Sequence, residues 1–443
     1  MGRYFGTDGF RGRFGSELTL EHALKIGKFL GFYYKTKGYQ GIVIGRDTRE
    51  SGPFLKTAIA KGINESGMNV YDLDVIPTPG VAYIAKSYTM PGVVISASHN
   101  PYWDNGIKLL NENGEKMEDS IILAVEEFMD SDNLDYKADS IGQTISFKAG
   151  IDEYINHLVS KALDYTGIHI VIDLANGAAS MVAKEVFKRL NATVEFLNDN
   201  PNGKNINDGC GSTVMEYVSM HSQNKNLDAS FAYDGDADRC LFLDENHQIL
   251  SGDHILYLCG KDLKDENQLK NNTIVATIMS NLGLFKALDK LNISYEKTNV
   301  GDKNVYEAMK LNGYSIGGEQ SGHIIFMEDA TTGDGILTSI KILNVIAKKK
   351  EKLSSLLKDF KEFPQVLKNV IVNDKNEVLK NEELKEFIKI EEDKLEGNGR
   401  VLVRASGTEP KIRVMVEADT KDTCQTIVDK IIDKIKALGY TKD

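Results

Sequence analysis

Residues 93–110 read VVISASHNPYWDNGIKLL, and the fold and the chemistry of the chain are both read from this stretch. The apolar run over 92–95 has the length and β-branching of a buried strand. A polar loop over 96–106 follows, and a second apolar segment over 107–110 closes it. The loop holds a hydroxyl (Ser98), an imidazole (His99), an amide (Asn100) and a proline (Pro101) that stiffens the backbone, with the cation Lys108 ten residues past the serine. A serine exposed on a rigid turn near a cation can carry a group in transit. Turn serines also commonly do no more than satisfy local backbone, so the rest of the chain has to decide.

The chain has 443 residues, 41% hydrophobic and 27% charged, with a formal net charge of −12. Length suggests about three or four domains. The negative balance argues against nucleic acid or an anionic membrane as partner, so any site for an anion must be locally basic. Cys210, Cys240, Cys259 and Cys424 are far apart with no CxxC, which indicates neither a zinc site nor a disulfide framework. With no apolar leader at the N-terminus and no run of transmembrane length, the expected location is cytoplasmic.

After a helical pattern over 20–35, one unit occurs three times. The first copy is a strand over 41–46, the turn DTRESG, a helix over 54–66 and a strand over 69–75 running into IPTPG. The second is a strand over 168–174, ANGAAS, a helix over 181–191 and a strand over 194–197. The third is a strand over 273–278, MSNLG, a helix over 284–292 and a strand over 294–298. Each reads as a βαβ unit, which implies parallel strands. Each is followed by a polar loop between apolar runs: VVISASHNPYWDNGIKLL, ASFAYDGDADRCLFLDENHQIL and YSIGGEQSGHIIFMED. The expected architecture is therefore three similar mixed α/β domains, 1–150, 151–252 and 253–365, whose loops furnish one central cleft. Beyond residue 363 a Lys/Glu-rich segment, two strands around a tight loop and a helix over 423–438 make a smaller α+β domain, 366–443, after a linker near 361–368.

Four further stretches carry chemistry. The opening MGRYFGTDGFRGRFG reads as a glycine-rich loop in which Arg11 can approach an anion closely. Asp234, Asp236 and Asp238 alternate in DGDADR, the oxygen set a hard divalent cation requires. An EF-hand is excluded, because Arg239 stands where that loop needs glycine and strands flank it. In GGEQSGH, Glu319 and Ser321 suit paired sugar hydroxyls and His323 can move a proton near neutrality. In RASGTEPKIR, the cations Arg404, Lys411 and Arg413 gather around hydroxyls and Gly407, as a phosphate requires. No GxxxxGK[ST] is present.

The serine loop, DGDADR, GGEQSGH and RASGTEPKIR, in this order and across the whole chain, resemble the four signature loops of the α-D-phosphohexomutase superfamily. ISASHNP, DGDADRC and GGEQSGH are similar to the bacterial branch acting on glucosamine phosphates. Phosphoglucomutases and phosphomannomutases, the alternative, more often carry TASHNP and GEMSGH. The resemblance implies that Ser98 is a phosphoserine and that Mg²⁺ is held by Asp234, Asp236 and Asp238 together with the phosphate on Ser98. It places Arg11, Lys108, Arg239 and His323 near the reacting phosphoryl group, and Glu319 and Ser321 at the sugar. Arg404, Ser406, Gly407, Thr408 and Arg413 match the clamp on the other phosphate. The implied reaction interconverts glucosamine 6-phosphate and glucosamine 1-phosphate through a bound hexosamine 1,6-bisphosphate, for amino-sugar nucleotide and cell-wall synthesis. The implied partner is a small sugar phosphate, and the oligomeric state, a homodimer included, stays open. Three positions depart from the family pattern: Lys303 replaces an arginine, Ala405 a proline, and Trp103 a smaller or polar residue. A phosphatase, or a silent sugar-phosphate-binding protein, is the rival of another class.

Overall fold

A computed structural model describes residues 3–131, 138, 140–406 and 410–441. The chain packs as two compact units, Met1–Met279 with Ile293–Lys358, and Ser280–Asn292 with Asp359–Asp443.

The first unit contains three sheets. The first sheet is built from β1 (Phe10–Arg13), β2 (Gly41–Arg46), β3 (Asn69–Val75), β4 (Gly92–Ile95), β5 (Asp104–Leu110) and β6 (Thr144–Ser146), in the order β1-β5-β4-β2-β3-β6. The second holds β7 (His169–Asp173), β8 (Thr193–Leu197), β9 (Ala229–Tyr233), β10 (Cys240–Leu243) and β11 (Ile249–Leu250), ordered β11-β10-β9-β7-β8. The third comprises β12 (Thr273–Thr277), β13 (Ser294–Thr298), β14 (Ile316–Gly318) and β15 (Ile324–Phe326), ordered β13-β12-β14-β15.

One topology recurs in all three. A first strand lies between a second and a third, both parallel to it, and a fourth returns antiparallel to the third. The first strands are buried on both faces, which is why they read as unbroken apolar runs: Ile42, Val43 and Ile44 in β2, Ile170, Val171 and Ile172 in β7, Ile274, Val275 and Ala276 in β12. The turn between third and fourth strands is the polar loop in every copy. Strand chemistry thus places 96–103, 234–239 and 319–323 at equivalent positions.

Two expectations are corrected. The loop after β4 ends at residue 103, not 106, because polar Asp104, Asn105 and Gly106 pair with Arg13, Gly12 and Arg11 in β1. The glycine-rich N-terminus is thereby partly a strand, its ladder bonds independent of side-chain character. IPTPG leads into a helix: Thr78 opens the helix Thr78–Tyr88, with Pro79 in the first turn, where a missing N–H costs nothing.

The second unit carries an antiparallel sheet of β16 (Gln365–Ile371), β17 (Arg400–Ala405) and β18 (Lys411–Glu417), ordered β16-β18-β17. Ile412, Val414 and Val416 of β18 pack with Cys424, Val428 and Ile431 of the helix Lys421–Ala437. β16 begins at Gln365, inside the stretch expected as linker.

Candidate active site

The three hairpin loops of the first unit converge. Ser98 follows β4 at the end of a tight turn, with φ of +52°, and its N–H donates to Ser96 Oγ at 2.9 Å. Its hydroxyl is buried rather than exposed on the loop, at 1% relative exposure. The hydroxyl donates to Asp234 Oδ2 of the second hairpin at 2.6 Å and lies 3.2 Å from His99 Nδ1. Burial and then the cations Arg239 and Arg11 lower the His99 pKa, which favours its neutral, proton-accepting form beside the hydroxyl.

Asp234, Asp236 and Asp238 are all buried, and one oxygen from each lies within 4.8 Å of the others. Lys108 of β5 donates to Asp236 Oδ2 at 2.7 Å and to Asp238 Oδ2 at 3.2 Å. Thr78 Oγ1, at the start of the helix Thr78–Tyr88, donates to the same Asp236 oxygen at 2.6 Å. Burial alone would raise the Asp236 pKa, but Lys108 and Thr78 pull it down to about 2. Asp234 goes the other way: burial, then the Asp238 and Asp236 charges, push it well above the carboxylate range. Burial would lower the Lys108 pKa, yet Asp236, Asp8 and Asp238 outweigh it and keep the ammonium charged.

This set fits a divalent cation. Asp236 Oδ1 and Asp238 Oδ1 are buried with no hydrogen-bond partner among the described residues, an arrangement that costs free energy unless something positive meets them. The three carboxylates meet the cations Lys108 and Arg239, and the mutual repulsion that raises the Asp234 pKa is what a dication would relieve.

The backbone is crowded here. A Cβ on Gly235 would lie 2.5 Å from the Ser98 carbonyl oxygen, and one on Gly177 would lie 2.4 Å from the Gly235 carbonyl oxygen. Only glycine permits this stacking of ANGAAS, the carboxylate loop and the serine loop.

The third hairpin meets the other two through a chain of charges. His323 is buried, its Nε2 accepting from Gly333 N at 3.1 Å and lying 3.7 Å from Asp302 Oδ2. Asp302 takes Lys116 at 2.7 Å, and Lys116 reaches Asp8 at 3.2 Å. Asp8 pairs with Arg11 and lies 3.8 Å from Lys108. Burial would raise the Asp8 pKa, but Lys108, Lys116 and Arg11 hold it well below the carboxylate range. His323 Nδ1 is buried without a hydrogen-bond partner among the described residues. Glu319 accepts from Gly301 N at 2.9 Å. Ser321 Oγ and the Nε atoms of Arg11 and Arg239 are buried and have no hydrogen-bond partner among the described residues. Lys108, Asp238 and His323 also share the wall of a cavity of about 740 Å³.

In the second unit Arg404 and Arg413 stand directly opposite one another on β17 and β18. Burial, and then the Arg413 charge, lower the Arg404 pKa. Both Nε atoms are buried and have no partner among the described residues, so the pair is set up for an anion. The Ser406 carbonyl accepts from Lys375 Nζ at 2.8 Å. Gly407 and Thr408 lie outside the described residues. The three departures are harmless to this geometry: Lys303 pairs with Asp119 at 2.7 Å, Trp103 is half-exposed with its carbonyl taking Phe14 N, and Ala405 continues β17. Thr78 and His99 are the residues that sequence reasoning left out of the site, although IPTPG and SASHNP contain them.

The chain is similar to known proteins over its whole length. Phosphoglucomutase/phosphomannomutase family models match the chain as α/β/α domain I over residues 2–135, domain II over 152–248, domain III over 251–363 and the C-terminal domain over 367–434. Phosphoglucosamine mutase of Lachnoclostridium phytofermentans is 48% identical, with 100% of both chains covered. That of Bacillus subtilis is 46% identical, with 99% of each covered. Among solved structures, a phosphoglucomutase/phosphomannomutase family protein of Burkholderia thailandensis superposes with a TM-score of 0.83 at 22% identity, covering 99% of this chain and 98% of that one. Aspergillus fumigatus N-acetylphosphoglucosamine mutase, solved with GlcNAc-6P and magnesium, gives 0.71 at 18% identity, covering 98% and 96%.

Proposed function

The chain belongs to the phosphoglucomutase/phosphomannomutase family, and from that premise we propose that it is an intramolecular phosphotransferase interconverting glucosamine 6-phosphate and glucosamine 1-phosphate. The choice of aminosugar rests on the relatives named phosphoglucosamine mutase, matched over the full chain. The observation that carries the chemistry is the Ser98 hydroxyl, buried and 2.6 Å from Asp234 within a three-carboxylate, one-lysine cluster. Our reading of the chain as four domains, 1–150, 151–252, 253–365 and 366–443, is supported by its four sheets.

Phosphorylated Ser98 gives its phosphoryl group to the free sugar hydroxyl: the P–Oγ bond breaks and a P–O bond to the sugar forms. The hydroxyl proton takes the vacated place on Ser98 Oγ, and His99 Nδ1, 3.2 Å from that oxygen, is placed to pass it on. The product is a bound 1,6-bisphosphate. After this turns end for end, Ser98 takes the other phosphoryl group and the isomer leaves. The transfer is governed by positioning and charge neutralisation more than by a strong base. Lys108, Arg11 and Arg239 supply fixed positive charge, and Glu319 and Ser321 orient the sugar. The basic pair Arg404 and Arg413, with Ser406, Gly407 and Thr408, holds the phosphate that is not reacting. Mg²⁺ held by Asp234, Asp236 and Asp238, with an oxygen on Ser98, would neutralise charge on the phosphoryl group. A charged sugar phosphate cannot cross a bilayer unaided, and our reading of the enzyme as cytoplasmic is consistent with such a substrate.

Two measurements test this. Mass spectrometry of the purified and digested protein should find one phosphate on the Ser98 peptide. Among glucosamine, glucose and mannose 6-phosphates, kcat/KM should be highest for glucosamine; a clear win for mannose would move the chain to another branch of the family.

A further inference from the structure

Arg49, from the DTRESG turn, is fully buried and uses every donor it has. Nε donates to Asp47 Oδ2 at 2.8 Å. One terminal nitrogen reaches the carbonyl of Pro101 and, at 3.0 Å, that of Asp104. The other reaches the carbonyls of Ser98 at 2.9 Å and Asn100 at 2.8 Å. The Asp47 carboxylate is held in turn by Ser96 Oγ at 2.7 Å and by Arg49 N at 3.0 Å. Three of the five donors therefore grip the serine loop, and a fourth holds Asp104 at the start of β5.

The same two carbonyls have a second donor from across the domain boundary. Asn207 Nδ2 lies 2.9 Å from the Ser98 oxygen and 3.2 Å from that of Asn100. Asn207 belongs to the long β8–β9 connection and is tied there through its N–H to the Ala175 carbonyl at 3.0 Å. It sits against Gly235 of the carboxylate loop, where an added Cβ would lie 2.7 Å from Asn207 Nδ2. Ser98 and Asn207 both hold left-handed backbone, with φ of +52° and +57°. For serine that conformation is unfavourable and persists only when its surroundings impose it.

We infer that Arg49 and Asn207 are positioning residues: together they fix the Ser98 and Asn100 carbonyls, and so aim the Ser98 hydroxyl at the carboxylate cluster of the second domain. Arg49 sets the turn within the first domain, and Asn207 sets that turn against the second. Neither touches the moving phosphoryl group. The inference rests on Ser98 being the phosphoryl carrier.

The test uses full-length enzyme carrying Asn207→Gly, which keeps the left-handed backbone without strain and removes the amide, and Asn207→Asp, which keeps the shape but presents an acceptor to two carbonyls. Single-turnover phosphorylation of Ser98 by glucose 1,6-bisphosphate is followed by intact mass, alongside kcat, KM and Tm. Misaiming a reacting group by about 1 Å can cost about 10²-fold in rate. Asn207→Gly should therefore lower kcat and the phosphorylation rate by about 10- to 100-fold, with KM within about threefold of wild type, and Asn207→Asp should be slower still. Arg49→Lys, which retains the charge but not the fork, should show the same split between kcat and KM. Wild-type phosphorylation rates in Asn207→Gly, or kcat and KM lost together with Tm, would overturn the inference alone. A wild-type enzyme whose Ser98 never takes up phosphate overturns the phosphoserine reading, and this inference with it.

Discussion

Lys108 Nζ and Asp236 Oδ2 lie 2.7 Å apart although 128 residues separate them in the chain. Lys108 is on the fourth strand of the first sheet, and Asp236 is in the hairpin loop of the second. The pair joins two domains at the point where the serine hydroxyl meets the carboxylates.

Lys108→Met should therefore abolish turnover and also reveal the charge balance of the site. Removing one partner of a buried ion pair typically costs about 3 to 5 kcal/mol, because Asp236 and Asp238 are left uncompensated. Added Mg²⁺ should compensate them, so the Mg²⁺-induced rise in Tm should be larger in Lys108→Met than in wild type. Equal shifts in a thermal melt would rule this out.

Ser98→Ala removes the acceptor of the phosphoryl group and one buried hydrogen bond. Turnover should vanish, and no phosphate should appear on the peptide. Stability should fall by only about 0.5 to 1.5 kcal/mol, since Asp234 can hold a proton of its own. Residual mutase activity near the wild-type level would contradict the mechanism.

Chelation by EDTA should abolish activity, and Mg²⁺ should restore it. Asp238→Asn should weaken Mg²⁺ binding in a calorimetric titration, because Asp238 Oδ1 is one of the two unpartnered oxygens. Unchanged affinity would show that the cation, if bound, sits elsewhere.

Arg413→Ala should raise KM for the sugar phosphate and release more bisphosphate into solution, with phosphorylated Ser98 still forming. The lost charge-assisted hydrogen bonds are worth about 1.5 to 3 kcal/mol. If KM and leakage stay at wild-type values, the clamp is on another loop.

Asp334 gives a pH dependence of known sign. It caps the helix Gly335–Lys349 by accepting from Leu337 N at 2.9 Å, and it accepts from Tyr154 OH at 2.7 Å. Burial raises its pKa from 3.8 to about 6, the two hydrogen bonds only partly opposing this. A raised carboxyl pKa stabilises the fold fully below pH 3.8 and loses that contribution as pH rises through about 6. Asp334→Asn keeps the cap and leaves a polar atom facing Tyr154 but cannot ionise. The wild type should lose stability relative to this variant between pH 4 and 6, by on the order of 2 to 3 kcal/mol. Parallel Tm–pH curves for the two proteins would refute the assignment.

What the sequence determined by itself is local. Unbroken apolar runs such as 41–46 and 168–174 mark strands buried on both faces, because burial and strand preference act over a handful of neighbouring residues. The alternation of Asp234, Asp236 and Asp238 puts three oxygens within reach of one ion through the geometry of a single turn. The repeated strand–helix–strand order then places three polar hairpins at equivalent positions. Ladder pairing overrode the local signal at the C-terminal end of the serine loop: Asp104, Asn105 and Gly106 joined β5, and Arg11, Gly12 and Arg13 became the strand opposite them. The burial of Ser98, the hold of Thr78 on Asp236 and of Asn207 on the Ser98 carbonyl, and the Arg11–Asp8–Lys116–Asp302 chain of charges that ends beside His323 exist only in the tertiary structure. Each joins groups on different loops or domains, and a hydrogen bond or ion pair is decided by ångström-scale distance and local dielectric. Packing of one domain on the next sets both of these, and spacing along the chain does not encode them.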